Sequence, residues 1–254
     1  CRLHSFPTRR SSDLDPTSHA LVALARRGFA AADARRRSGA PPRSAAYPAD
    51  AALHCLHAAL RAVTSVALRF WASVAVGFLI SARPASIAGL TAAAVRLTPE
   101  AVLIELTVFK YGTSGSAPRV SLHIPTAGEP DPIRRLFRRL LSDATGPDAP
   151  WFGLRDLSLA AAAGLRAVAA VSPPGTRFTP RSLRSGGITA AYAVGVPMER
   201  IMRVSNHAST AIVRRHYLDR PVPPTPAARV FFHRFVPATR SLSCPFHRSP
   251  LLSA

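Results

Sequence analysis

Apolar and polar positions along this chain alternate in two distinct rhythms. From Ala49 to about Ser81 the apolar residues recur at helical spacing and predict one helix near Asp50 to Val63 and a second, more apolar one from about Ser65. The second contains the most apolar run, Phe70 to Ala82, thirteen residues bounded by Arg69 and Arg83. A membrane-spanning helix needs about 20 residues, so this run reads as a buried core helix. It stops at Ser81-Ala82-Arg83-Pro84, because proline disfavours helix at the residue before it and starts a new short helix in PASIAGL. The rhythm then shortens to that of strands. Ala94 to Leu97, Ala101 to Phe109 and Arg119 to Pro125, separated by a Thr98-Pro99-Glu100 turn and a glycine- and serine-rich loop, predict a small antiparallel sheet.

Helical spacing returns in DPIRRLFRRLLSDA, residues 131–144. Asp131 caps this helix, Pro132 opens it, and Ile133, Leu136, Phe137, Leu140 and Leu141 share one face. An alanine-rich helix is expected near Leu157 to Val171. Another starts with Thr179 as cap and Pro180 as first residue, a short one starts at Pro197, and the prolines of DRPVPPTP end the run RRHYLD. The fold class is therefore α+β, mainly α-helical with one small antiparallel sheet.

The organisation follows from where the patterning is lost. Residues 1–14 include LHSFPTRRSSDL, which reads like the translation of a sequencing-adapter oligonucleotide and is set aside. Residues 15–48, ending in SGAPPRSAAYPAD, read as a linker. A single domain is expected over 49–220, followed by a tail over 221–254 in which ARVFFHRFV forms at most one short element.

Composition changes this picture in two ways. The 254 residues, 48% of them hydrophobic, suffice for one large core, while a net charge of +20 suits a polyanionic partner. A GC-rich coding bias would also enrich arginine, so charge alone is weak evidence. Cysteines 1, 55 and 244 are too scattered for a disulfide framework or a zinc site, which suits a reducing, intracellular compartment. No metal and no cofactor is expected, and no membrane span.

Candidate chemistry lies in TPRSLRSGGITAAYAVGVPMERIMRVSNHASTAIVRRHY, residues 179–217. Arg181 and Arg184, three apart, share one face of the first turns of a helix, where the N-terminus already favours an anion. Gly186-Gly187 lets a neighbouring backbone approach closely. Asn206-His207 and Tyr217 follow, and arginines, a histidine and a tyrosine in this order point to chemistry on a phosphate.

This order resembles the catalytic domain of tyrosine recombinases, the phage-integrase family, at LRSGG and in the ten-residue interval from His207 to Tyr217. Arg181 stands where that family usually has histidine, and Asn206 where it usually has glycine. FLISARPASIAGL resembles the family's first-arginine box, with Arg83 as the arginine and Ser86 where an acidic residue is usual. Lys110, the only lysine in the sequence, matches the family's hairpin lysine.

The resemblance implies a DNA breaking and rejoining enzyme that uses Tyr217 as nucleophile and works without a metal. Arg83, Arg184 and His207 would surround the phosphate, Lys110 would act as general acid, and Arg181 would bind phosphate without carrying protons. Residues 15–48 would then be a remnant of an N-terminal DNA-binding region. Double-stranded DNA would be the partner, held by a homotetramer in a nucleus or nucleoid. Plainer readings stand beside these: Arg83 as a cap or surface residue, Lys110 as a surface lysine, and a mobile-element remnant that only binds DNA. For Arg134, Arg135, Arg138 and Arg139 the choice is between a solvated helix face and contact with DNA phosphates.

Overall fold

The computed structural model describes residues 45–107, 119–128, 130–170, 178–218 and 223–236. Lys110 and residues 1–14 lie outside this set. Thr64 opens the central helix, its hydroxyl accepting from the Ala67 N–H at 3.2 Å. That helix, α2 (Ser65–Ile80), is buried on every face from Ala72 onward, as expected of a run too short to span a membrane. Before it lies α1 (Ala49–Arg61), and after it comes the short α3 (Pro84–Ala88), begun by Pro84 as the sequence predicts. Among the described residues no helix is long and apolar enough to cross a membrane.

The sheet comprises β1 (Val95–Leu97), β2 (Ala101–Thr107) and β3 (Arg119–Pro125), antiparallel and in that order. Register pairs Val95 with Ile104 and Ile104 with Leu122. The two-residue period is visible in the burial: Val102, Ile104 and Leu106 face the core with Leu122 and Ile124, while Glu105, Ser121 and His123 are exposed.

Helix α4 (Pro132–Ser142) is capped by Asp131, whose Oδ1 accepts from the Ile133 N–H at 2.8 Å, and it buries Ile133, Leu136, Phe137 and Leu140. Its arginines divide. The Arg139 guanidinium donates to the carbonyls of Ala59 (3.1 Å), Leu60 (2.6 Å) and Ala62 (2.5 Å), satisfying the open C-terminal end of α1. Arg134 donates to the carbonyls of Thr98 and Pro99 in the β1–β2 turn. Arg135 and Arg138 are exposed. Two of the four arginines considered for DNA contact therefore hold elements of this domain together.

Helix α5 (Leu154–Ala167) begins three residues before its expected start and ends four before its expected stop. Ala169, just past it, takes the left-handed φ of 48°. The site-bearing helices follow: α6 (Pro180–Ala193), α7 (Met198–Ser205) and α8 (Thr210–Tyr217).

Two segments expected to be peripheral belong to the core. Tyr47, read as linker, is 2% exposed, donates its N–H to the Ser182 carbonyl at 3.0 Å, and donates its hydroxyl to the Ala161 carbonyl at 2.9 Å. Helix α9 (Pro226–Phe232) and the 3₁₀ turn His233–Phe235 bury Phe231, Phe232 and Phe235, with the Phe231 ring 5.1 Å from that of Phe78. Arg234, in the same turn, forms a buried ion pair with Asp131. Burial pushes the Asp131 carboxyl up, but Arg234 and the N–H groups of Ala127 and Ile133 outweigh it and hold the carboxyl below its ordinary range.

Close backbone contact positions α6. A methyl group on Gly186 would sit 2.2 Å from the Tyr47 carbonyl oxygen, and one on Gly187 would sit 2.2 Å from both the Phe78 carbonyl oxygen and Ser81 Oγ. Only hydrogen at 187 allows α6 to lie against the last turn of α2, and only hydrogen at 186 admits the Tyr47 backbone beside it, the close approach that the Gly-Gly pair predicts.

Gly187→Ala sets two effects against each other. Alanine favours helix over glycine by about 1 kcal/mol, but the new methyl meets backbone that cannot yield cheaply. The clash wins, and a net loss of about 2–3 kcal/mol is expected, read as a lower denaturant midpoint at unchanged slope. Arg234→Met leaves Asp131 buried and uncompensated, at a cost of about 3–5 kcal/mol. Because the folded-state pKa of Asp131 is depressed, the pair's contribution is present above the ordinary carboxylate range and is lost as pH falls through the folded value. Acid titrations of unfolding free energy should therefore show a shallower slope in Arg234→Met.

Candidate active site

Three side chains meet beside α6: Arg184 on that helix, His207 in the turn that follows α7, and Tyr217 at the end of α8. Arg184 lies one turn before Gly187, so the contact that seats the glycine also carries this arginine to the end of α2; it is only 8% exposed. Its Nη2 is 2.9 Å from His207 Nε2, and its Nε donates to Tyr217 Oη at 3.4 Å. The imidazole and phenol rings meet edge to face, centroids 5.2 Å apart at 64°. One guanidinium thus joins the candidate histidine to the candidate nucleophile.

Arg83 reaches this cluster from the other side of the same packing contact. Helix α2 ends at Ser81, in the left-handed conformation (φ 49°), and two residues later Arg83 precedes Pro84 with an extended backbone. It is half-buried, and its charge lowers the proton affinity of both Arg184 and His207. Ser86, at the place of the usual acidic residue, is buried.

The backbone at Asn206 explains its own identity. Asn206 sits at φ 51°, ψ 56°, the left-handed region that favours glycine and, among other residues, asparagine. The His207 N–H donates to the Met202 carbonyl at 3.0 Å and the Asn206 N–H to the Arg203 carbonyl at 3.3 Å. This pair of bonds is a Schellman helix stop, and it turns the chain so that His207 faces Arg184. Asparagine in place of glycine leaves that turn intact.

Tyr217 is the final residue of α8, a helix capped by Ser209 and anchored by buried Val213. Thr189 Oγ1, on α6, lies 2.8 Å from the Ser185 carbonyl oxygen and 3.1 Å from that of Tyr217, so its one proton is shared between the helix's own carbonyl and the end of α8. Thr189 and Ser205, whose Oγ is 2.7 Å from His207 Nδ1, were not found by sequence reasoning. Ser205 lies two residues before His207 and Thr189 five residues after Arg184, but neither carries a motif of its own.

Arg181 is not drawn in. It is exposed on the first turn of α6 and, among the described residues, makes no hydrogen bond with Arg184, His207 or Tyr217. That turn starts at Thr179, the expected cap, which pairs with Ser182 in a capping box: the Ser182 Oγ accepts from the Thr179 N–H at 3.0 Å. Among the described residues there is also no group of His, Cys, Asp or Glu able to hold a metal ion.

Electrostatically the cluster is cationic and partly dry. Burial lowers the Arg184 pKa, partly offset by Tyr217 and reinforced by Arg83. Burial, followed by Arg184, Arg83 and His216, pushes His207 down to about 4. The described hydrogen-bond partners of Arg184 are a phenol and an imidazole rather than a carboxylate. An anion entering here would meet unpaired positive charge.

This is the fold of the tyrosine-recombinase catalytic domain. The solved structures it resembles include the XerH site-specific recombinase bound to its difH substrate, with a TM-score of 0.50 and 12% identity over 68% of this chain and 50% of that one. A lambda integrase dimer bound to a COC′ core site also scores 0.50, at 15% identity over 71% of this chain and 61% of that one. The chain thus spans about half to three-fifths of the structures it matches. No protein-family model and no curated protein matches it.

In the free protein the His207 imidazole should titrate near 4 and be neutral at pH 7. A bound anion offsets the arginine charge and should raise that midpoint by about one unit or more. Proton-detected titration of the His207 ring, with and without inorganic phosphate, measures both.

Proposed function

We propose that this chain is the catalytic part of a site-specific DNA recombinase or integrase, cleaving and rejoining strands through a 3′-phosphotyrosyl intermediate. The observation that supports it most is the single Arg184 guanidinium bonded to both Tyr217 and His207, on a fold shared with recombinases solved on DNA. Tyr217 Oη attacks the phosphorus, the bond to the 5′ oxygen breaks, and the phosphodiester energy is kept in the protein link. Arg184 and Arg83 stabilise charge on the nonbridging oxygens. Removing one such donor costs about 10²- to 10³-fold in rate. Lys110, by resemblance, protonates the departing 5′ oxygen. Attack by a 5′ hydroxyl of a second strand reverses the step and completes exchange, for which four copies would assemble on two duplexes. Such a protein would work in a nucleus or nucleoid.

The exposed position of Arg181 favours a second reading, a mobile-element remnant that binds DNA without cutting it. An arginine can hold a phosphate but does not carry protons at neutral pH. A nicked suicide duplex separates the two. The recombinase reading expects a covalent protein–DNA band that disappears in Tyr217→Phe, and a bound duplex with no such band in the wild-type chain would leave the binding-only reading.

A further inference from the structure

We propose that Ser205 is a positioning residue that fixes the proton of His207 on Nδ1, so that the bare Nε2 takes the phenolic proton of Tyr217 as the strand is cleaved. This rests on the strand-cleaving reading of the same site.

The two hydrogen bonds of Ser205 assign the tautomer. Ser205, at the end of α7, is 1% exposed, and its Oγ lies 2.6 Å from the Ile201 carbonyl oxygen and 2.7 Å from His207 Nδ1. A hydroxyl has one proton. The carbonyl, which can only accept, takes it, so Ser205 Oγ accepts from Nδ1–H. Arg184 Nη2 lies 2.9 Å from Nε2 and 3.4 Å from Nδ1, over the ring rather than in line with either nitrogen's lone pair. A guanidinium has donors and no acceptor, so its approach suits a bare Nε2, and the serine makes the assignment: Nδ1 carries the proton and Nε2 does not.

An acceptor nitrogen beside a tyrosine nucleophile has a clear use. At rest Arg184 Nη2 lies 2.9 Å from it. An arriving phosphate oxygen is charged and outcompetes a neutral imidazole for the guanidinium. Nε2 is then released on a ring that meets the phenol ring edge to face. Arg184, hydrogen-bonded to the phenol, has no lone pair to offer, and the imidazole packed against the same phenol supplies the acceptor. Arg181, at the place where a histidine is usual, cannot serve either.

In this step the Oη–H bond breaks and an Nε2–H bond forms. The phenolate oxygen bonds to phosphorus as the bond to the 5′ oxygen breaks, and that oxygen takes its proton from the general acid. On religation the imidazolium returns its proton to Tyr217. The charged groups around the imidazole, Arg184 on α6, Arg83 ahead of α3 and His216 on α8, all oppose its protonation, and the negative phosphate relieves that opposition.

Nitrogen-15 spectra of the histidine-labelled full chain, free at pH 7, test the tautomer directly. Wild type should give a protonated Nδ1 and a bare Nε2, and Ser205→Ala should gain the Nε2–H form. An Nε2–H form in wild type overturns the proposal. On the nicked duplex, covalent-complex formation should fall about tenfold in Ser205→Ala, the equivalent of one hydrogen bond, and recover in Ser205→Thr. Unchanged rates in Ser205→Ala would reduce the serine to packing.

A duplex with a 5′ bridging sulfur separates base from acid, because a thiolate leaves without a proton. His207→Gln should remain slow by about 10²-fold or more on that substrate. Full rescue there would overturn the base role. If wild type forms no covalent complex on either duplex, the strand-cleaving reading falls and takes the base role with it, while the spectra still decide what Ser205 does.

Discussion

The approach of α6 to the end of α2 sets the geometry on which everything at this site depends. Gly187 lies against the Phe78 carbonyl and Ser81 Oγ at a distance no side chain allows, and Gly186 lies equally close to the Tyr47 backbone. Arg184 is one turn upstream of that contact, and Arg83 is two residues beyond Ser81. Seating the glycines therefore brings together two guanidiniums that are a hundred residues apart in sequence. Had any larger residue stood at 187, the helices would separate by the width of a methyl group and the arginines with them. Small displacements of this size are what positioned phosphate chemistry tolerates least.

Electrostatics then works against the empty site and in favour of an occupied one. Burying Arg184 beside Arg83 without a carboxylate among its described partners costs stability, seen in the lowered pKa of the guanidinium. Elsewhere the same chain neutralises a buried arginine with an acid, as Asp131 does for Arg234. Where the fold needs only stability it supplies the counter-ion. At Arg184 the partners are neutral groups, an imidazole pushed down to about 4 and a phenol, so an anion from outside completes the charge balance.

How far the sequence was legible follows from the range of the interactions involved. Periodicity, prolines and caps act within a few residues, and they located α1, α2, α3, α4, α6 and α7 and the three strands. The Gly-Gly pair announced close packing without naming its partner. What could not be read was long-range. Tyr47 reads as linker because its contacts are with Ser182 and Ala161. Phe231 and Arg234 read as tail because their partners, Phe78 and Asp131, are over a hundred residues away. The arginines of α4 mislead for a related reason. A basic helix face looks uniform in sequence, yet Arg139 closes the end of α1 and Arg134 holds a turn. Their positive charge is used to satisfy carbonyls, and it says little about where a nucleic acid would lie.

The candidate site shows the same division between local and distant determinants. Asn206 was legible as a departure from glycine, and the left-handed backbone there makes the departure harmless, since both residues reach that conformation. Arg181 was legible as a departure from histidine, and here chemistry does change, because the residue is exposed and cannot accept a proton. Loss of a proton carrier at 181 places more weight on the remaining imidazole, whose tautomer depends on Ser205, a residue no motif singles out. Serine at this position gains meaning only once α7 has brought its hydroxyl within reach of both the Ile201 carbonyl and the ring, and the helix stop at Asn206 has turned that ring toward Arg184. A site of this kind is thus distributed: the motif residues carry charge and nucleophile, and unremarkable neighbours decide in which protonation state those residues meet.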